Sequence, residues 1–296
     1  MRFRYLTCDV FTDTRFGGNQ LAVLPEAQGL RDEQMQQIAR EFNYSECAFV
    51  FPPQAGHACS VRIFTPESEV PFAGHPSIGT AFVLETIGAF DARTPVVLEE
   101  RAGLVPITIQ RRPGGRIWCE LQAPQRLALG MTFPVVSLAS AVSLTGEDIV
   151  TRWHVPRVAS VGLPFLIAEL RDRGALTRAR PNGRGFEELL AGGLDPAYVH
   201  LYVRDCDGFD VRSRVFTPLD GPPEDPATGS ANCALVALLS HLRREANGDF
   251  NWRIAQGVEM GRPSVLDART EKRAGAVENV WIGGECVLVS EGSIEV

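Results

Sequence analysis

Arg62-Ile63-Phe64-Thr65-Pro66 recurs as Arg214-Val215-Phe216-Thr217-Pro218, 152 positions further on. A second segment repeats in the same order: His75-Pro76-Ser77-Ile78-Gly79-Thr80-Ala81 is echoed by Asp225-Pro226-Ala227-Thr228-Gly229-Ser230-Ala231 at a shift of 150. Both shifts are close to half of the 296 residues, and each segment leads into an apolar stretch, which marks an internal duplication. In this alignment the linking loop is two residues shorter in the second copy.

The local patterns of the two copies agree. Residues 60–64 and 210–216 alternate as strands, and a Pro/Gly-rich loop then opens a helix. The first helix carries Ile78, Ala81, Phe82 and Val83. The second carries Ala234, Leu235, Leu238, Leu239 and Leu242, close to an i, i+3, i+4, i+7 stripe. Both are apolar enough to be buried. His75 and Asp225 are expected at the N-caps, with Pro76 and Pro226 in the first helical position. Around them lie an amphipathic helix at Asp32–Phe42 and short alternating strands at 2–11, 21–25, 47–51, 96–99, 104–110, 116–121, 165–170, 199–203, 253–256, 277–282 and 286–289. One long apolar helix among so many strands predicts, for each half, an α+β unit whose mostly antiparallel sheet is rolled around a central helix. Residues 1–125, completed by a C-terminal strand at about 285–296, form the first half, and residues 126–284 the second.

Composition narrows the function. Apolar residues make up 45% and charged residues 22%, with a net charge of −7 and no basic stripe or tail, so nucleic acid is not the expected partner and a small soluble ligand is. No run of about 18 apolar residues occurs. The opening residues Met1 to Asp9 alternate and carry an acid at the ninth position, unlike a signal or transit peptide, so a cytoplasmic location is expected. The seven cysteines, at 8, 47, 59, 119, 206, 233 and 286, form no C-x-x-C pair, and reduced, buried thiols are expected rather than disulfides or a zinc site. Lys272 is the only lysine, in a charged, loop-like stretch that suits no Schiff-base cofactor. G-x-S-x-G, G-x-G-x-x-G and Walker-type loops are missing from the sequence, and no cofactor or metal is expected.

If the two halves face each other, their buried helices present free N–H groups and positive dipole ends to one cleft. That arrangement holds a carboxylate without lysine or arginine, and Ser77, Thr80, Thr228 and Ser230 are candidate hydroxyl donors. Gly79 and Gly229 either serve that site or only allow close packing. His75 and Asp225 form a candidate acid/base or orienting pair. Glu46 opens the apolar strand Cys47-Ala48-Phe49-Val50-Phe51. It is either a solvated strand end or a partly desolvated acid suited to proton transfer. Cys47 points to the opposite face and is expected in the core.

The chain resembles the PhzF-like phenazine-biosynthesis family, within the diaminopimelate-epimerase fold. The resemblance rests on Phe16-Gly17-Gly18-Asn19-Gln20-Leu21-Ala22-Val23, Tyr44-Ser45-Glu46-Cys47-Ala48-Phe49-Val50, Glu69-Val70-Pro71-Phe72-Ala73-Gly74-His75-Pro76, Glu224-Asp225-Pro226-Ala227-Thr228-Gly229-Ser230-Ala231 and Gln256-Gly257-Val258-Glu259-Met260-Gly261-Arg262-Pro263-Ser264. It implies two duplicated halves with a cofactor-free site between them, a homodimer, and isomerisation of a small carboxylated cyclic substrate such as trans-2,3-dihydro-3-hydroxyanthranilate by a proton shift from C3 to C1. It further implies Glu46 as the proton carrier, His75 and Asp225 as substrate contacts that assist, and Gly74, Gly229 and Ser230 as holders of the carboxylate. Related epimerases place a cysteine at each helix start, and both are missing here, which disfavours a two-thiol racemase. Gln20 stands where the family commonly has proline. Two other readings are a non-catalytic small-molecule binding protein and a hydrolase using Ser230 or Ser77 with His75.

Overall fold

A computed structural model describes residues 1–89, 96–219 and 221–296; the side chains of 205 and 206, and with them the thiol of Cys206, lie outside the described part. The chain divides into two compact units, Met1–Gln122 with Gly283–Val296, and Ala123–Ile282. The first contains, in order, β1 (Arg2–Val10), β2 (Asn19–Leu24), α1 (Asp32–Phe42), β3 (Glu46–Phe51), β4 (Cys59–Phe64), β5 (Glu69–Val70), α2 (Gly74–Thr86), β6 (Val96–Glu100), β7 (Gly103–Arg111) and β8 (Ile117–Gln122). In the second follow β9 (Ala128–Thr132), α3 (Val135–Ala141), β10 (Ile149–Val150), β11 (Arg157–Ser160), β12 (Pro164–Leu170), α4 (Arg173–Arg178), α5 (Gly183–Ala191), β13 (Val199–Cys206), β14 (Phe209–Phe216), β15 (Glu224–Asp225), α6 (Gly229–His241), β16 (Gly248–Gln256) and β17 (Ser264–Arg273). The long β18 (Ala276–Glu295) begins there and returns to the first unit, where it pairs with β1.

The same pairing pattern is built in each unit. In the first, β2–β3 and β4–β6 are parallel, while β3–β4, β4–β5 and β6–β7 are antiparallel. In the second, β12–β13 and β14–β16 are parallel, while β13–β14, β14–β15 and β16–β17 are antiparallel. Parallel neighbours need a crossover, and helices supply it: α1 between β2 and β3, α2 between β4 and β6, α4 and α5 between β12 and β13, and α6 between β14 and β16. The strands are therefore mixed.

α2 and α6 are 13 residues each and buried on nearly every face, as their continuous apolar sequences require. α2 packs on β1, β2, β3, β7 and β8, and α6 on β11, β12, β16 and β17. Gly79 sets the approach of α2: a Cβ there would lie 2.5 Å from Leu21 Cδ2 and 2.8 Å from Val10 Cγ2. α1 has the bounds its periodicity predicts and buries Met35, Ile38 and Ala39.

The structure corrects the alignment of the two copies. Phe64 pairs with Glu69 and Ile63 with Val70, just as Phe216 pairs with Glu224 and Val215 with Asp225. Glu69-Val70-Pro71 is thus equivalent to Glu224-Asp225-Pro226, and Gly74 to Gly229, each opening its helix. The intervening loop is three residues longer in the second copy, not two shorter. Copy one contains P-x-x-G twice, at Pro71/Gly74 and Pro76/Gly79, and the sequence match falls on the wrong one. The charges decide the frame: Arg62 grips Glu69 through two hydrogen bonds of 2.8 and 2.7 Å, and Arg214 grips Glu224 through two of 2.7 Å.

Three helices were not expected from the sequence. α3, α4 and α5 cover one face of the second unit's strands, packing Leu138, Leu176, Phe186 and Leu189 against Leu166, Ala168, Leu201 and Val203. They are short, and Gly183 and Gly185 in the first turn of α5 lower its helix propensity.

Lys272 is also corrected. It lies in β17, not in a loop, and is only 3% exposed. Ser264, Leu266, Ala268, Thr270 and Lys272 face inward on alternate positions, and the intervening charged residues disguised that period. Its ammonium donates to the carbonyls of Ser240, His241 and Arg243 at 2.8–3.1 Å, closing the C-terminal end of α6 where the helix dipole is negative. Lys272→Met should cost about 2–3 kcal/mol, because it leaves buried carbonyls unmet. Urea unfolding checks this, and a loss below about 0.5 kcal/mol would refute the assignment.

Among the described residues, no helix is long and apolar enough to cross a membrane, and no group of three or more His, Cys, Asp and Glu is placed to hold a metal ion.

Candidate active site

The first constellation lies in the first unit, where β2, β3 and the start of α2 meet. β2 and β3 run parallel with Leu21 beside Glu46, and α2 packs on both. Gly18 shapes the approach to β2. It has φ +60, and a Cβ there would lie 2.3 Å from Val10 O, so only glycine admits the turn that delivers Asn19.

His75 is the second residue of α2, after Ala73 at the N-cap, and not the cap itself. Its side chain is 6% exposed, and Nδ1 lies 3.5 Å from Glu46 Oε2, whose own side chain is 18% exposed. Asn19, 1% exposed, reaches the same Nδ1 at 3.4 Å, and Nε2 stands 3.3 Å from the backbone oxygen of Gln20. These contacts assign the tautomer. A carbonyl can only accept, so Nε2 carries a proton and donates to Gln20 O. In the neutral ring Nδ1 then offers its lone pair to Asn19 Nδ2–H and toward Glu46. One proton placed between Glu46 and Nδ1 gives either a carboxylic acid beside a neutral imidazole or a carboxylate beside an imidazolium. The pair can give up a proton and take it back, the requirement for general acid/base chemistry, and the long distances leave room to tighten on a substrate.

The second constellation lies in the second unit. Asp225 is in β15, three residues before Thr228, the N-cap of α6, so it is not the cap either. Thr228 Oγ1 donates to Asp225 Oδ2 at 2.5 Å and accepts from Gln256 Nε2 at 3.1 Å. Gln256, fully buried, also donates to Asp225 O at 2.8 Å, and its Oε1 accepts from Thr228 N and Asn232 Nδ2. Every donor and acceptor of the Gln256 amide is used, which fixes its orientation and with it the carboxylate two bonds away. Gly229 is buried and Ser230 half-buried in the first turn of α6.

Two expected hydroxyl donors are buried, and one of them is engaged elsewhere. Ser77 is fully buried, with Oγ 2.7 Å from Ala73 O and 2.6 Å from Glu100 Oε1. Thr80 is also fully buried inside α2. Neither side chain faces solvent. Cys47 is fully buried on the apolar side, and burial pushes its thiol far up, so it is core. The six cysteines whose side chains are described are all free and buried.

The chain matches the phenazine biosynthesis-like protein family over residues 8–292. It belongs to that family. Among relatives of this phenazine biosynthesis-like chain, the trans-2,3-dihydro-3-hydroxyanthranilate isomerase of Pseudomonas aeruginosa is 36% identical over 294 residues, covering 98% of each chain. The structure of a predicted epimerase from Pseudomonas aeruginosa is 32% identical, with a TM-score of 0.82 over 99% of each chain. The crystal structure of a Bacillus anthracis phenazine biosynthesis protein of the PhzF family superposes with a TM-score of 0.92 over the whole of both chains at 22% identity, a likeness of fold.

Asn19, Gln256, Asn232 and Glu100 have no role that sequence reasoning finds. For Asn19 and Gln256 the one signal is their place beside Gly18 and Gly257, both with positive φ; Asn232, inside an apolar helix, and Glu100, among charged neighbours, carry none.

Proposed function

We propose that this chain is an isomerase that moves a proton within a small carboxylated cyclic substrate without a cofactor, with Glu46 as the carrier and His75 as the group that shares its proton. The single observation that carries the reading is the Glu46 carboxyl 3.5 Å from Nδ1 of a buried imidazole, placed so that the two groups can share one proton. The name of the Pseudomonas aeruginosa relative supports trans-2,3-dihydro-3-hydroxyanthranilate as the first substrate to try. In the same proposal Asp225, held through Thr228, contacts the substrate, and Gly74, Gly229 and Ser230 bind its carboxylate through the N–H groups that open α2 and α6. The fold that serves this chemistry is the internally duplicated diaminopimelate-epimerase-like one, supported by the repeated pairing pattern and the repeated Arg–Glu clasp. Proton NMR of that compound with the protein in deuterated buffer tests the reading: conversion with deuterium gained at one carbon is expected. No conversion and no exchange would withdraw this substrate, and no exchange with any small cyclic carboxylate would withdraw isomerisation.

A further inference from the structure

Glu100, at the end of β6, is a carboxylic acid 8% exposed that the chemistry above does not use. Its Oε1 touches Ser77, and among the described residues its Oε2 has no hydrogen-bond partner. Counting protons favours its neutral state. Ser77 Oγ lies within hydrogen-bond distance of two oxygens, Ala73 O and Glu100 Oε1, but a hydroxyl has one proton to give. With Glu100 ionised, one of these contacts sets two acceptors against each other. With Glu100 neutral, both are made: the acid donates to Ser77, and Ser77 donates to Ala73 O.

That chain of bonds spans the first turn of α2. Ala73 is the N-cap, its carbonyl also receives Ser77 N at 3.2 Å, and His75 lies midway between them. We propose that neutral Glu100 is a positioning residue for His75: through Ser77 it clamps Ala73 and holds the first turn of α2 in the register that sets the imidazole against Glu46. The surroundings supply no counter-charge. Arg101, its neighbour, is turned to Glu69, and Glu99 to the backbone N–H groups of Gln54, Ala55 and His57. On β4 the near group is the neutral thiol of Cys59, itself pushed up by burial, and on α2 it is Ser77. Burial accordingly lifts the Glu100 carboxyl to about 8.

The clamp therefore releases as pH climbs through that value. The test follows the imidazole nitrogens of His75 by NMR from pH 6 to 10 in the wild-type protein, with the signals assigned by their loss in His75→Gln. A step centred near pH 8 is expected, absent from Glu100→Gln, whose amide cannot ionise. Ser77→Ala cuts the chain at its middle while leaving Glu100 in place, and the step must vanish there too. No step in the wild type, or a step that persists in Ser77→Ala, overturns the proposal. The inference rests on the reading of Glu46 and His75 as the reacting pair, but the measurement needs no substrate, so its failure is separate from a failure to find turnover.

Discussion

Glu46→Gln will lower solvent-deuterium incorporation by about 10²–10⁴-fold, with KM changed by less than about threefold. The glutamine amide has the shape of the carboxyl and still reaches toward His75 Nδ1, so the ground-state surroundings survive. What is lost is a group that exchanges a proton with carbon and shares it with the imidazole across 3.5 Å. The split between kcat and KM makes the experiment decisive. A large rise in KM with kcat intact would make Glu46 a binding residue, and unchanged turnover would remove it from the chemistry. His75→Gln should fall less, since it leaves the carboxyl in place and removes only the partner.

Arg214→Met is expected to cost about 3–5 kcal/mol of stability, the largest effect of any single substitution considered, and to do so without touching the proton carrier. Arg214 is 3% exposed and every part of its guanidinium is engaged: two bonds to Glu224 and two, each of 2.8 Å, to the carbonyls of Leu176 and Ala179 that end α4. Methionine fills the volume over Phe216 but leaves Glu224 largely buried without its counter-charge and the helix end uncapped. The same exchange at Arg62, its equivalent in the first unit, should cost only about 1 kcal/mol. That side chain is 26% exposed and shares Glu69 with Arg101, so water and a second cation take over part of its work. Denaturant midpoints of the two variants measure the contrast, and equal losses would refute it.

Stability should also depend on pH through Glu100. Its carboxyl ionises near 4.5 in the unfolded chain and near 8 in the folded one, so between those values the folded state holds a proton that the unfolded state has lost. The stability this contributes is complete below about pH 4.5, falls as pH rises and is gone above about 8. Glu100→Gln should remove that slope and gain on the wild type at pH 8–9. A wild-type thermal midpoint that rises between pH 6 and 8, relative to the variant, would contradict it.

Most of this was visible in the sequence wherever side-chain pattern and backbone demand coincide. The apolar runs at 78–83 and 234–242 had to be buried helices, and the Asp32–Phe42 period placed α1 to the residue. Glu46 stood out because a carboxylate rarely heads an apolar strand. Where pattern and demand part, the sequence misled. Pro76 and Gly79 imitated the true helix-opening Pro71 and Gly74, and the error set His75 opposite Asp225 when its counterpart is Ser230. The register of β5 on β4 and of β15 on β14 is a fact of backbone pairing, carried by one arginine and one glutamate on each pair and invisible to a comparison of short motifs. The amides that hold Asp225 and His75 leave no period at all, since their value lies in geometry reached across strands.

The burial of Lys272 has a use outside catalysis. Because it is the only lysine, an amine-directed acylating reagent has a single ε-amino target, and that target is locked against the end of α6. Acylation at this position can proceed only when β17 parts from the helix, so its rate under fast reclosing reports the opening equilibrium of the second unit. The chain thus carries its own covalent clock for local unfolding, read by the mass of one peptide and requiring no engineered probe.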